Sequence, residues 1–283
     1  MNATRASAKT GFQIAFLIFA VIFLNAPLDK FIYKNWQWAL DLDIALGRPL
    51  MIISGAILLA SIPPLRRACA ELLAPRIPDG KRREVAFAVA IDLVAALGAL
   101  GAFALWNYAR GGEPGLARAM GEHSSHGVQM QQALSPGHLV MFVFVAGMIG
   151  PIVEELVFRG LLYKAWLDAW RWVWAALASS LVFGLFHGLV WPQFLAGIVF
   201  VVAWRRSGSL RTSIYSHALS NLLLWYPLLG QFLLPAGRST GELHVWTPHL
   251  ICLAATAVLL PWYMWSARDS RIQRAGAPEP SIA

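Results

Sequence analysis

The sequence predicts an all-α fold, a polytopic transmembrane helical bundle of about eight spans with both termini in the cytoplasm. Of its 283 residues, 58% are hydrophobic and 13% charged, and the mean hydropathy is +0.56. That composition belongs to membrane proteins rather than to soluble cores. Apolar runs able to cross ~30 Å of hydrocarbon recur near 11–28, 49–65, 85–108, 137–162, 172–190, 192–204, 211–234 and 247–266. With the N-terminus inside, 16 of the 23 Lys and Arg fall in inner segments, six in outer ones, and Arg159 within a span. Such a bias sets orientation.

Taken in order, Arg5 and Lys9 precede the run Phe12 to Leu24 in the manner of a secretory signal. Asn25-Ala26-Pro27 offers no small-x-small cleavage site, so the run is expected to stay as the first span. The sixth run is short, and Pro227 interrupts the seventh. Trp36, Trp38, Trp106, Trp172, Trp174, Trp191, Trp204 and Trp262 stand at the ends of apolar runs, as in an interfacial belt. The outer segment 109–135 reads as a solvated amphipathic loop, although His123-Ser124-Ser125-His126 has a metal-compatible i, i+3 spacing. Ser135-Pro136 reads as the cap and first-turn Pro of the fourth span. His138 and His249 lie at span ends and are expected at the interface.

Residues 1–266 are expected to form one transmembrane domain with a catalytic core at about 135–235. Residues 267–283, with Pro278 and Pro280, read as a disordered cytoplasmic tail. The net charge of +8 sits in short interspan loops, so it reads as a topology determinant and nucleic acid is excluded as a partner. Cys69 and Cys252 lack CxxC spacing and are expected to be free thiols.

Chemistry concentrates in a hairpin from about 136 to 191. Its first arm carries Glu154-Glu155-Leu156-Val157-Phe158-Arg159 and its second Phe183-Gly184-Leu185-Phe186-His187. An ionisable group at mid-bilayer costs about 2.5–3.5 kcal/mol, so the cluster calls for a function. Glu154 lies about 16 residues before the turn near 168–171 and His187 about 16 after it, which puts them at similar depth. Glu155 and Arg159 are i, i+4 and can pair, while Glu154 sits about 100° around an α-helix from Glu155. Gly150-Pro151 should kink or loosen this arm. On the seventh span, His217 and Asn221 are also i, i+4. Phe158 and Phe183 read as packing residues, and Asp92 is a buried acid with no partner assigned by sequence.

A carboxylate beside a neutral imidazole can deprotonate water, while a second His and an Asn amide can donate to an oxyanion. The same residue types leave a second chemistry open, with Glu154, His187 and His217 ligating Zn²⁺ and its bound water as nucleophile. His217 lies near the start of its span, so a water-filled cavity opening to the cytoplasm is expected.

Glu-Glu-x-x-x-Arg, Phe-x-x-x-His and His-x-x-x-Asn on successive apolar blocks resemble the CPBP family of intramembrane proteases, named for CAAX proteases and bacteriocin-processing enzymes. The resemblance covers about 135–235. It implies an intramembrane endopeptidase, glutamate-type or metal-dependent, acting on a membrane-associated protein or peptide. By the same resemblance, Glu154 and His187 would activate water, His217 and Asn221 would stabilise the oxyanion, and Glu155 and Arg159 would support the site, with either Glu as base. The expected location is the bacterial inner membrane. Competing readings are a proton- or ion-coupled transporter and a non-catalytic membrane chaperone or immunity protein. A transporter predicts paired repeats and unwound helices in both halves, whereas these polar groups fall almost wholly in the second half.

Overall fold

The computed structural model describes residues 60–133, 144–187, 190–225 and 241–270, together with positions 13, 56, 57 and 140. Among the described residues, all extended regular structure is helical. We label α1 (Pro63–Leu73), α2 (Arg83–Ala133), α3 (145–167), α4 (Trp172–His187), α5 (Val190–Ser207), α6 (Leu210–Trp225) and α7 (Thr247–Ser266).

Helix α5 is the axis of the bundle. Its residues from Gly197 to Arg205 are all buried, as befits a helix that is apolar on every face. It packs on α2, α4 and α6. One core joins Leu162, Tyr163, Phe183, Val201 and Leu210 across α3 to α6. A second joins Ala88, Ile91, Val199, Ala203 and Tyr263 across α2, α5 and α7. Helices α2 and α7 approach closely because Gly98 has no side chain. A Cβ there would lie 2.7 Å from Thr256 Oγ1 and 3.0 Å from the Cys252 carbonyl. Small residues at such crossings are how apolar helices associate without a hydrophobic driving force.

The hairpin turn falls where expected: α3 ends at Leu167 and α4 starts at Trp172. Gly150-Pro151 does loosen α3, with a π-helical turn at Val145–Ile149 immediately before it. A second π-helical stretch, Glu155–Tyr163, carries Glu155 and Arg159. Glu154 closes the α-helical segment and Glu155 opens the π stretch, both with α-helical dihedrals (φ −65°, ψ −45° and φ −65°, ψ −38°), so the two adjacent acids keep the offset expected between them.

The outer segment 109–135 is corrected. Residues 109–133 are helical, not a loop. Gly112, at φ 59° and ψ −155°, breaks α2, a conformation that is essentially glycine's alone. The chain then restarts as a helix at Pro114, and Leu116 and Met120, one turn apart, bury against Trp246 and Ala104. The side chains of His123 and His126 lie outside the described residues. Two of the residues expected at the interface are covered by protein. Trp204 is buried against Tyr163 at 5.9 Å, and His249 is buried beside Trp246 at 5.0 Å. Trp106, Trp174, Trp191 and Trp262 are exposed. Cys69 and Cys252 are free thiols.

Two described stretches, Asp79–Gly121 and Leu243–Ser266, are long and apolar enough to cross a membrane, and Trp172–His187 is apolar but shorter. The first expected span, most of the second, the Ser135-Pro136 cap, His138, Pro227 and the tail beyond residue 270 lie outside the described residues.

Candidate active site

The site forms where α3, α4 and α6 meet around α5. Glu155, with none of its side chain exposed, anchors it. Its Oε1 lies 3.0 Å from Arg159 Nη1 and 2.9 Å from His217 Nδ1, and Ser213 Oγ donates to Oε2 at 2.5 Å. A buried carboxylate keeps its charge only with such partners. Arg159 is equally enclosed. Its Nη2 donates to the Gly197 carbonyl at 3.3 Å, and its guanidinium carbon lies 4.3 Å from the Phe183 ring centroid and 5.6 Å from that of Phe200. Arg over an aromatic face is a favourable cation–π contact in a desolvated setting.

Glu154, one residue earlier, is placed differently. Its side chain is 14% exposed, and Oε2 stands 3.6 Å from both His187 Nε2 and His217 Nε2. That oxygen is buried without a hydrogen-bond partner. His187, 23% exposed, lies on the same side, so the site opens toward Glu154 and His187 and closes behind Glu155.

Hydrogen bonding assigns the tautomers. His187 Nδ1 lies 2.8 Å from the Phe183 carbonyl, which can only accept, so Nδ1 carries the proton. His217 Nδ1 faces a carboxylate already paired with Arg159, so it too is the donor. In the neutral rings, both Nε2 atoms then present lone pairs. Three lone-pair faces thus converge on one spot, and a single water with its two hydrogens can satisfy two of them.

Aromatic rings hold this geometry. Phe200 stacks on His217 at 4.6 Å and 19°. Phe183 contacts His187 at 4.4 Å and His217 at 5.7 Å, and Phe158 packs edge-on against Phe183 at 5.1 Å. Phe158 is the packing residue expected. Phe183 also carries the Arg159 and histidine contacts, which that expectation omits.

The structure therefore brings together Glu154, Glu155, Arg159, His187 and His217. Asn221 follows His217 by one turn on α6, half-buried. Missed in the sequence were Phe200, Ser213, Gly197 and the partners of Asp92. Ser213 stands one turn before His217, a spacing that could have flagged it. Phe200 lies in an apolar run and carries no such signal.

Asp92 joins the site from α2. Ser216 Oγ of α6 donates to the Val85 carbonyl of α2 at 3.4 Å. Two turns along α2 stands Asp92, 3% exposed, and one turn along α6 stands the buried Ser220. The Asp92 carboxyl faces the Ser220 hydroxyl across this contact.

A zinc site needs donors about 2.0–2.2 Å from the ion. Among the described residues, no group of three or more His, Cys, Asp or Glu is arranged to hold one. Glu154 Oε2 stands 3.6 Å from Nε2 of both His187 and His217, and these are the three atoms that would have to hold such an ion.

Residues 136–223 match the family model described as type II CAAX prenyl endopeptidase Rce1-like. A Bacillus subtilis (strain 168) protein named "Putative membrane peptidase YdiL" is 27% identical over 84 residues, which are 29% of this chain and 34% of that protein. The chain thus spans about a third of the length of the curated relative it matches. No solved structure gives a significant match.

Proposed function

We propose, from the premise that residues 136–223 belong to the CPBP family of intramembrane proteases, that this protein is a glutamate-type intramembrane endopeptidase. It hydrolyses a peptide bond of a membrane-associated protein or peptide, of which prenylated CAAX-type chains are one class. One observation carries the reading. Glu154 Oε2, an unpartnered buried acceptor, stands 3.6 Å from two imidazole nitrogens whose lone pairs face it.

In the reaction, a water donates one hydrogen to Glu154 and the other to His187 Nε2. Glu154 removes the first proton as the water oxygen attacks the scissile carbonyl carbon. The carbonyl π pair moves to oxygen, and the oxyanion is stabilised from the α6 side by the Asn221 amide. His217 has its one proton tied to Glu155, so Nε2 can donate to the oxyanion only after Glu154 passes it the proton taken from water. Collapse of the intermediate breaks the C–N bond, and that proton goes to the leaving nitrogen. Glu155, Arg159 and Ser213 hold His217 in place throughout.

The same reading puts eight spans in the bacterial inner membrane, with both termini and the mouth of the site on the cytoplasmic side. The loop-charge bias supports it. The test is comparative proteomics of membranes from wild-type cells and cells carrying Glu154→Gln. The expected result is an uncleaved membrane precursor that accumulates only in the variant. An unchanged set of termini would overturn the reading. Metal content and chelator response of the purified wild type, measured on the precursor so identified, decide between glutamate-only and metal-assisted chemistry.

A further inference from the structure

A second cluster of charge, sharing no residue with the site, lies at one end of the bundle. The start of α2 and the ends of α5 and α7 meet there, and the last turn of α5 carries Arg205 and Arg206. Arg206 Nε lies 2.7 Å from Glu84 Oε1, its Nη1 donates to Ser266 Oγ at 2.5 Å, and Tyr263 donates its hydroxyl to the same Glu84 oxygen at 2.6 Å. Beside this knot opens a cleft of about 420 Å³ lined by Lys81, Arg83, Glu84, Phe87, Arg206 and Trp262.

The acids near the cleft already have partners. Glu84 is held by Arg206 and Tyr263, and Asp79 pairs with Arg82 at 2.7 Å. Lys81 and Arg83 are exposed and in no ion pair among the described residues. The cleft therefore carries a surplus of two positive charges. Its wall is apolar, with Phe87 edge-on to Trp262 at 5.8 Å and Trp262 45% exposed. Helices α2 and α7 are the two described elements apolar enough to cross a membrane, so their shared end lies where hydrocarbon gives way to headgroups. An exposed Trp is at home at that level.

We propose that this cleft binds the headgroup of an anionic phospholipid, its phosphate between Lys81 and Arg83 and its glycerol and upper acyl carbons against Trp262 and Phe87. Basic pockets between helix ends on the cytoplasmic side are suited to such headgroups. The inference rests on the membrane reading and is independent of the endopeptidase chemistry. A free phosphate compound shares the charge but not the apolar part.

The test uses the full-length protein in nonionic detergent, with bound ligand read by native mass spectrometry. It is titrated with dihexanoyl phosphatidylglycerol, with dihexanoyl phosphatidylcholine and with inorganic phosphate. Phosphatidylglycerol is expected to bind at least about tenfold more tightly than phosphatidylcholine, and the Lys81→Gln/Arg83→Gln double variant to lose about thirtyfold of that affinity, the loss for two charges near a membrane surface. The control is Arg66→Gln/Arg67→Gln, which removes two charges from α1 and should leave affinity unchanged. Equal binding of the two lipids, equal loss in both double variants, or displacement of phosphatidylglycerol by inorganic phosphate at equal concentration would each overturn the proposal. Wild-type unfolding of the Lys81/Arg83 variant in detergent separates lost binding from lost fold.

Discussion

Neighbouring glutamates with opposite roles make the sharpest test. Glu155→Gln keeps the side-chain volume but removes the charge that balances Arg159, of whose side chain 1% is exposed. Arg159 would retain the Gly197 carbonyl at 3.3 Å and the Phe183 face at 4.3 Å. Neither neutralises a buried cation. Removing one partner of a buried ion pair costs about 3–5 kcal/mol, and the variant should lose about that much unfolding free energy. Glu154→Gln differs in kind. Its Oε2 makes no hydrogen bond at rest, so the substitution breaks none there and stability should not fall, while turnover falls about 10²–10⁴-fold with the loss of the general base. The assay is unfolding in mixed micelles with increasing sodium dodecyl sulfate, followed by Trp fluorescence, beside cleavage of the accumulated precursor. A Glu155→Gln protein as stable as wild type, or a Glu154→Gln protein that still turns over, refutes the division of labour.

Further outcomes follow from contacts around the pair. Ser213→Ala removes a donor to a charged acceptor 2.5 Å away and should lower unfolding free energy by about 1.5–3 kcal/mol, read by the same micelle titration. Asp92→Asn should cut kcat about tenfold (about 1.4 kcal/mol in barrier height) with KM unchanged, because Asp92 is buried on α2 along the contact with the helix that carries His217. A rise in KM alone would place Asp92 in binding instead. Gly98→Ala puts a methyl 2.7 Å from Thr256 Oγ1 and should cost about 1–3 kcal/mol of stability by overpacking, with kcat in the folded fraction preserved.

How much of this was legible in the sequence depends on whether the residue was chemically out of place. Glu154, Glu155, Arg159, His187 and His217 stood out because ionisable groups are rare in apolar helices. Depth arithmetic along a hairpin paired Glu154 with His187, and the structure leaves 3.6 Å between them. Periodicity could not reach the π winding at Glu155–Tyr163, which a 3.6-residue template does not contain. Phe200 was invisible for the opposite reason. In an apolar run, a Phe that stacks on a catalytic candidate looks like any core Phe. The helix over 109–133 was missed because Gly111, Gly112 and Pro114 read as loop punctuation, when one positive-φ glycine suffices to redirect a helix and Trp246 gives the new segment something to bury against.

The tautomers sharpen what the fold does with its two adjacent acids. Had both histidines carried their protons on Nε2, each would donate straight to Glu154, and that carboxylate would be as fully paired as Glu155. The Phe183 carbonyl and Glu155 draw those protons to the far nitrogens, leaving Glu154 Oε2 among acceptors with no donor. A buried acceptor without a donor costs ~1–3 kcal/mol, and water is the smallest species that removes that cost while offering a proton to the group able to take it. Ser213, Arg159 and Phe200 thus keep one glutamate saturated and its histidine seated, so that the other glutamate stays ready for water. For the same reason, Phe200→Leu, which loosens His217 without touching a charge, should reduce turnover more than stability, with about 0.5–1.5 kcal/mol of stacking lost. A variant that loses stability but keeps full turnover in its folded fraction would mean the ring only packs.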